Sequence, residues 1–314
     1  MKLSIPALTL PALLFCSTGK AQTDIDGLMM AKNNFCTGPM YQYSAWKNYW
    51  EGSLNRENLN LGTVSTQTIA IMGNYGITRR LNALFTVPYV KTNASAGQWK
   101  GQAGIQDLSL WLKYMPFEKK VGPGELSLYT IGGFSTPLTN YSIDQLPLSL
   151  GLGSTNTTLR LMADYQWGDW FGTASGSYVV RSNVKLDRTA YYTTEMNYTN
   201  EVKMPNATQY NLRAGFRNGT WIAEAVLDHW NTLGGHDITR NNMPFVSNNM
   251  DATRLGANFK RENAFTDGLS FIWGGSYTVA GRNMGQSTAA YAAVVYILDF
   301  SPKQKQKKQD EAQQ

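Results

Sequence analysis

Polar and apolar side chains alternate with period 2 along most of this chain, and a 3.6-residue period is nearly absent. In Asp107–Tyr114, one face carries Leu108, Leu110, Leu112 and Tyr114, and the other carries Asp107, Ser109, Trp111 and Lys113. Leu159–Trp167 sets Leu159, Leu161, Ala163, Tyr165 and Trp167 against Arg160, Met162, Asp164 and Gln166. Tyr210–Arg217 and Thr253–Lys260 repeat the logic. Successive side chains of a strand point to opposite faces, so each segment is a strand with one apolar and one polar, often charged, face.

Twelve such strands can be drawn, over residues 40–51, 64–76, 81–91, 105–115, 124–136, 156–167, 171–184, 206–217, 220–232, 250–262, 269–283 and 288–300. Counts of 10 and 14 are the alternatives, because the first and last segments are the least sharply marked. Connections alternate between short (such as Gly168–Trp170) and long (such as Lys185–Pro205), with Asn283–Gln286 a short exception among the long ones. Short turns at one end and long loops at the other are the pattern of an outer-membrane barrel. A soluble β-sandwich also alternates. Against it, charges recur on the polar face of strand after strand, while the other face carries Leu, Phe, Tyr and Trp up to the strand ends. Aromatics gather at those ends, as in Tyr41, Tyr43, Trp46, Tyr49 and Trp50, and in Tyr165, Trp167, Trp170 and Phe171. The expected fold is therefore all-β: a transmembrane antiparallel up-and-down β-barrel of about 12 strands over residues 39–300. An even count returns both ends to one side, the periplasmic side of an outer membrane in a Gram-negative-type bacterium.

Composition supports this reading. The chain of 314 residues is 42% hydrophobic but only 16% charged, and its longest unbroken apolar run after the first 16 residues is Ala289–Leu298. A membrane-spanning helix needs about 20 apolar residues. A closed barrel satisfies its backbone without water, so a moderately hydrophobic chain can still cross lipid. Met1–Lys2, the apolar stretch Leu3–Cys16 and the small residues Gly19 and Ala21 read as a signal peptide over 1–21, cut after Ala21. The lipoprotein alternative would cut before Cys16. Removal of residues 1–21 leaves one cysteine, Cys36, so no intrachain disulfide is possible. Residues 22–38 are a periplasmic lead-in or a plug in the lumen, and 301–314 form a polar disordered tail holding Lys303, Lys305, Lys307 and Lys308. The net charge of +6 is spread thinly, with no basic stripe of the kind nucleic acid requires. In the last strand Ala292, Val294, Tyr296, Leu298 and Phe300 share a face that ends on an aromatic, as in terminal signals read by barrel assembly machinery.

Several short motifs over Tyr75–Thr155 carry a family resemblance. Tyr75-Gly76-Ile77-Thr78-Arg79-Arg80-Leu81 is similar to a Tyr-Gly-(apolar)-Thr-Asp-Arg-Leu turn, with Arg79 where Asp is commoner. Val87-Pro88-Tyr89-Val90 follows, then Gly104-Ile105-Gln106-Asp107-Leu108, with Gln106 replacing a glycine, then Leu112-Lys113-Tyr114. Phe134-Ser135-Thr136-Pro137 matches more loosely, since no glycine follows Pro137. In order and spacing these resemble the outer-membrane barrel family named for the meta-pathway of phenol degradation. The resemblance covers about a quarter of the chain. It implies a transporter for small hydrophobic or aromatic compounds, related in type to hydrophobic-compound channels, with no cofactor.

The strand register places Asp107, Lys113, Arg160, Asp164, Arg181, Arg213, Arg217, Glu224, Asp228, Arg254 and Lys260 on the polar face, as lumen lining and candidate substrate path, with no metal ligand among them. A charge facing lipid would cost about 2–4 kcal/mol at the midplane, which is the reason to place them inside. Seven are basic and four acidic, a lining that would favour anions. Alternatively they pair across neighbouring strands and fill a narrow barrel. Pro88, Gly132-Gly133 and Gly274-Gly275 lie within strands and suggest bulges or tight curvature. His229, beside Asp228, is the feature behind a surface-hydrolase alternative, but the facing outward positions offer Thr208 and Thr253 and no serine. A structural barrel presenting its loops to partners is the other alternative. The leading expectation is passive passage of small hydrophobic or amphipathic solutes through a barrel seated in outer-membrane lipid, without enzymatic activity.

Overall fold

The period-2 alternation resolves into twelve long strands: β1 (Asn34–Trp46), β2 (Val64–Thr78), β3 (Leu81–Ala94), β4 (Asp107–Val121), β5 (Gly124–Pro137), β6 (Asn156–Trp167), β7 (Trp170–Arg181), β8 (Ala207–Arg217), β9 (Trp221–Thr232), β10 (Asp251–Arg261), β11 (Leu269–Arg282) and β12 (Thr288–Asp299). The computed structural model describes residues 23–238 and 243–301. The expected signal peptide and all of the expected tail but Ser301 lie outside the described residues. Each strand pairs antiparallel with the next, and β1 pairs with β12 from Asn34↔Asp299 to Ala45↔Thr288, closing the sheet. No edge is left open, so the backbone donors and acceptors of the wall are met within the wall.

Eleven of the twelve strands begin within two residues of their expected starts; β1 does not. It starts at Asn34 rather than at residue 40, and β4 runs to Val121 rather than ending near 115. The reason is proline. Thr37-Gly38-Pro39 and Pro116 look like turns in the sequence, but a closed ladder tolerates proline where pairing is interrupted. Gly38 and Pro39 take no register partner on β12, although Thr37↔Tyr296 and Met40↔Ala293 flank them in register. A Cβ on Gly38 would lie 1.9 Å from the Val294 carbonyl oxygen, so glycine lets the two strands meet there. Pro116 sits in a bulge between Tyr114 and Phe117. At Pro88 the ladder with β4 also slips: Thr86 faces Ser109, whereas Tyr89 faces Ile105 of a short added strand, Ala103–Ile105, one extra residue on the partner side. The paired glycines make no bulge. Gly133 instead lies under the Trp111 ring, where a Cβ would be 2.2 Å from Cζ3.

The two faces separate as the alternation requires. On β6, Arg160, Met162 and Asp164 are buried inside, while Leu159 and Leu161 are exposed on the outer surface. The same exposed apolar band continues through Leu110 and Leu112, Leu212 and Leu255. Trp167, Trp170, Trp221 and Trp273 crowd the short-turn end of this band, with Trp221 edge-on to Trp273. Tyr43, Tyr89, Tyr178, Tyr210 and Tyr277 mark the long-loop end. Such girdles belong at lipid–water boundaries. Tyr49 and Trp50, expected in the first strand, belong to a small hairpin (Asn48–Glu51 with Leu54–Glu57) in the first long loop. Trp50 is buried there against Gly281.

The band predicts a depth-dependent penalty. Leu161→Arg, on the lipid face of β6, is expected to destabilise the barrel by about 2–4 kcal/mol in bilayers. Gln166→Arg, facing inward at the turn end, is expected to cost much less. Unfolding by urea from lipid vesicles, followed by tryptophan fluorescence, measures both. Equal costs would contradict a lipid-facing band.

Candidate functional site

The residues ahead of β1 do not lead away from the barrel; they run inside it. Thr23-Asp24-Ile25-Asp26-Gly27 lies against the interior of β4–β6. Lys113 Nζ, with no exposed side-chain surface, donates to the Thr23 carbonyl (3.0 Å), the Asp26 carbonyl (2.6 Å) and Asp26 Oδ1 (2.9 Å). Arg160 Nη1 donates to Asp24 Oδ2 at 2.6 Å, and the Tyr129 hydroxyl donates to the Gly27 carbonyl at 2.9 Å. A Cβ on Gly27 would fall 2.0 Å from Asp164 Oδ1, so glycine allows this approach. Further on, Met30 is buried with Cys36, Val295 and Ile297. Asn33, at φ 63°, then turns the chain into β1, its N–H donating to the Gly76 carbonyl at 2.7 Å. Gly76 belongs to the Tyr75–Leu81 motif, and a Cβ there would sit 2.0 Å from the Ala31 carbonyl oxygen. Residues 23–31 therefore lie inside the lumen against its wall, and are called the plug below. Burial opposes ionisation of Asp26, but the Lys113 charge and the Thr23 N–H outweigh it and hold its carboxyl below the ordinary carboxylate value.

All eleven residues of the expected polar face sit on inward positions of their strands, but the structure does not gather them into one cluster. Lys113 and Arg160 spend their charge on the plug. Arg217 reaches past β7 to Asp164 on β6, at 3.1 and 3.2 Å through its two terminal nitrogens, and its guanidinium lies 3.9 Å from the centroid of the Phe171 ring. Arg213 pairs with Glu224 at 2.5 Å and Arg254 with Asp228 at 3.2 Å. Lys260 pairs with Glu262 at 2.5 Å. Arg181 donates to the Pro205 carbonyl at the long-loop end, and Asp107 accepts from the Tyr141 hydroxyl at 2.7 Å. Asp24, Asp26 and Glu262 were not on the expected list, and they supply the carboxylates that the basic residues lacked. The net positive lining expected from the sequence is thereby replaced by a near-neutral one.

The plug leans on one side of the wall and leaves space on the other. A cavity of about 380 Å³ lies between it and the wall of β8–β12 and β1–β2. Ile25, Leu28, Met40, Met72, Ile222, Val226 and Ile272 give it apolar surface, and the Arg213–Glu224 and Arg254–Asp228 pairs with Asn258 and Tyr291 give it polar groups. The space exists because this wall is built of small residues: Gly256, Gly275, Ser276, Ala289 and Ala293 all line it. A second cavity of about 420 Å³, lined by Met29, Met115, Glu118, Glu125 and Tyr129, lies toward the short-turn end. At the other end the long loops fold over one another. Ile143, Val184, Leu186, Tyr191, Val202, Met204 and Val246 form one apolar cluster from three loops. Leu148 packs with Leu61 and Val64 of the β1–β2 region, and its carbonyl accepts from Thr92 Oγ1 at 2.6 Å. The loops thus make a roof.

His229, the residue behind the hydrolase alternative, sits on the outer face of β9. Its Nδ1 is 3.0 Å from Thr253 Oγ1 and 3.7 Å from Asp251 Oδ1, and its ring stacks on Tyr210. Proton relay to a nucleophile uses one ring nitrogen for the acid and the other for the hydroxyl. Here both partners approach the same nitrogen, an arrangement that anchors the ring rather than activating Thr253.

A solved outer-membrane channel from Pseudomonas putida has the same architecture: TM-score 0.69 over 89% of this chain and 100% of that one, at 14% identity. The fold is that of an outer-membrane β-barrel. Looser matches include the translocator domain of the autotransporter NalP from Neisseria meningitidis (TM-score 0.46, 12% identity, covering 84% of this chain and 87% of that one). Another is the monoaromatic hydrocarbon channel CymD (TM-score 0.41, 10% identity, 86% and 89%). No family model and no curated protein matches the sequence.

Proposed function

We propose that this barrel is a plugged outer-membrane channel for small, neutral, hydrophobic or amphipathic compounds, with aromatic compounds the preferred class. The observation that carries the reading is the 380 Å³ cavity beside the plug, where apolar side chains alternate with charges already paired to one another. A solute bearing its own charge would have to break one of those pairs, whereas an uncharged solute with one polar group matches the lining. Pocket volumes of a few hundred Å³ suit molecules of this size. The fold of the Pseudomonas putida channel supports passage as the role, and the motifs over Tyr75–Thr155 support the hydrophobic class. In this reading the eleven lumen residues set polarity and hold the plug, both chain ends face the periplasm, and the roofed loops face outward. The partners are outer-membrane lipid, the solute and, during insertion, the barrel assembly machinery.

The test is flux into liposomes carrying the purified protein, corrected for protein-free vesicles, with 4-hydroxybenzyl alcohol compared with arabinose. Faster entry of the aromatic is the expected result. Equal entry would indicate a general pore, and entry of neither from a folded barrel would overturn the channel reading.

A further inference from the structure

The larger cavities on the two sides of the plug are distinct pockets. They meet at two residues that line both, Leu28 of the plug and Arg217 of β8. Leu28 is buried against Phe171 at the start of β7 and Ile222 at the start of β9, and these three form a closed apolar cluster. Arg217 cannot yield there. It is 3% exposed, locked by two hydrogen bonds to Asp164, and stacked on the same Phe171 ring. Its Nη1 also donates to Gln166 Oε1 at 3.3 Å. The movable member is Leu28. The chain is fastened before it by the Asp26–Lys113 contact and after it by buried Met30, and Gly27 adjoins it.

We propose that Leu28 is the gate between the two cavities: its side chain leaves the Phe171–Ile222 seat to admit an apolar solute, while the plug stays fastened at Asp26 and Met30. This rests on the plugged-channel reading. Two apolar side chains, Phe171 and Ile222, make the seat, so an entering aromatic ring replaces the leucine with little loss of buried area, whereas a hydrated sugar cannot. Leu28 therefore sets selectivity as well as rate.

Leu28→Ala tests this. Emptying a buried leucine seat weakens the closed state by an amount worth about tenfold or more in an equilibrium constant. In the liposome assay, 4-hydroxybenzyl alcohol entry is expected to rise about tenfold with arabinose entry unchanged. Ile222→Ala, on the wall side of the same contact, is expected to act in the same direction. A variant lacking residues 23–31 is the control that separates the two ideas. If it passes both solutes while Leu28→Ala behaves as the native chain, the gate is wrong and the plugged channel stands. If Leu28→Ala raises both solutes equally, the whole plug has come loose and Leu28 is not a selective gate. If even the truncated barrel, shown to be folded by its heat-modifiable mobility, passes neither solute, the channel reading falls and the gate with it.

Discussion

Replacing Lys113 with methionine is expected to turn the plugged barrel into an open pore. Lys113 is the strongest single tie on the plug, because one ammonium meets two backbone carbonyls and the Asp26 carboxylate without any contact with bulk water. It also lies 5.4 Å from the centroid of the Tyr129 ring, whose hydroxyl holds Gly27. Removing one partner of a buried ion pair leaves the other charge stranded, at a cost of about 3–5 kcal/mol. The barrel wall does not bear that cost, since β4 keeps its ladder on both sides. The plug bears it, and a loss of that size shifts a bound–released equilibrium by roughly a hundredfold or more. Arabinose entry and ion conductance in planar bilayers should both rise steeply in Lys113→Met and less in Asp26→Asn, which keeps the shape and the carbonyl contact. The depressed carboxyl of Asp26 fixes the sign of the pH effect. Its stabilisation of the plugged state is complete above the free carboxylate value near pH 4 and is lost as pH falls through the lower value in the folded state. Native conductance should thus stay low from neutral pH to about pH 4 and rise only in stronger acid. A Lys113→Met barrel with native conductance would show that the plug is held some other way.

The wall of the barrel was legible because lipid and lumen impose opposite demands on neighbouring residues. Most of the strands between β1 and β12 carry that contradiction in alternation, as Leu159–Trp167 does on β6. What alternation could not reveal was anything held by a pattern of another kind. The pattern starts β1 only at residue 40 because Gly38 and Pro39 look like a turn, although the β2 ladder runs through both. The plug has no period at all; Thr23–Asp26 is held by individual charges. A signal was present all the same. Seven basic and four acidic inward residues ask for more carboxylates, and Asp24 and Asp26 were the nearest unplaced ones. The roof had its own trace in Leu146, Leu148, Leu150 and Leu152, an apolar alternation inside a long loop that only a buried loop would need. The cavity was the least visible feature, since it depends on where the plug leans and on small residues that are unremarkable one by one.

Arg217→Met should cost the barrel itself stability, by about 3–5 kcal/mol, and this is the largest effect expected from a wall residue. The guanidinium spans from β8 to β6 across the interior face of β7, so it staples three strands, alongside the Arg160–Gln209 hydrogen bond (3.0 Å) that also joins β6 to β8. Asp164, 4% exposed, would be left with the Thr173 hydroxyl at 2.5 Å as its remaining side-chain donor. Methionine keeps much of the volume over Phe171 and none of the charge, so the loss reports the stranded carboxylate more than a void. The double change Arg217→Met with Asp164→Leu should recover most of the loss, because a buried pair replaced by apolar groups of similar size is often neutral or better. Urea unfolding from vesicles of these two variants and of Asp164→Leu closes a double-mutant cycle, and the departure of the double loss from the sum of the single losses is the coupling energy of the pair. Additive losses would mean that Arg217 acts through its stacking on Phe171 and not through Asp164. A large coupling would locate the rigidity of the turn end in this one contact, and that rigidity is what allows a leucine on the neighbouring plug to be the part that moves.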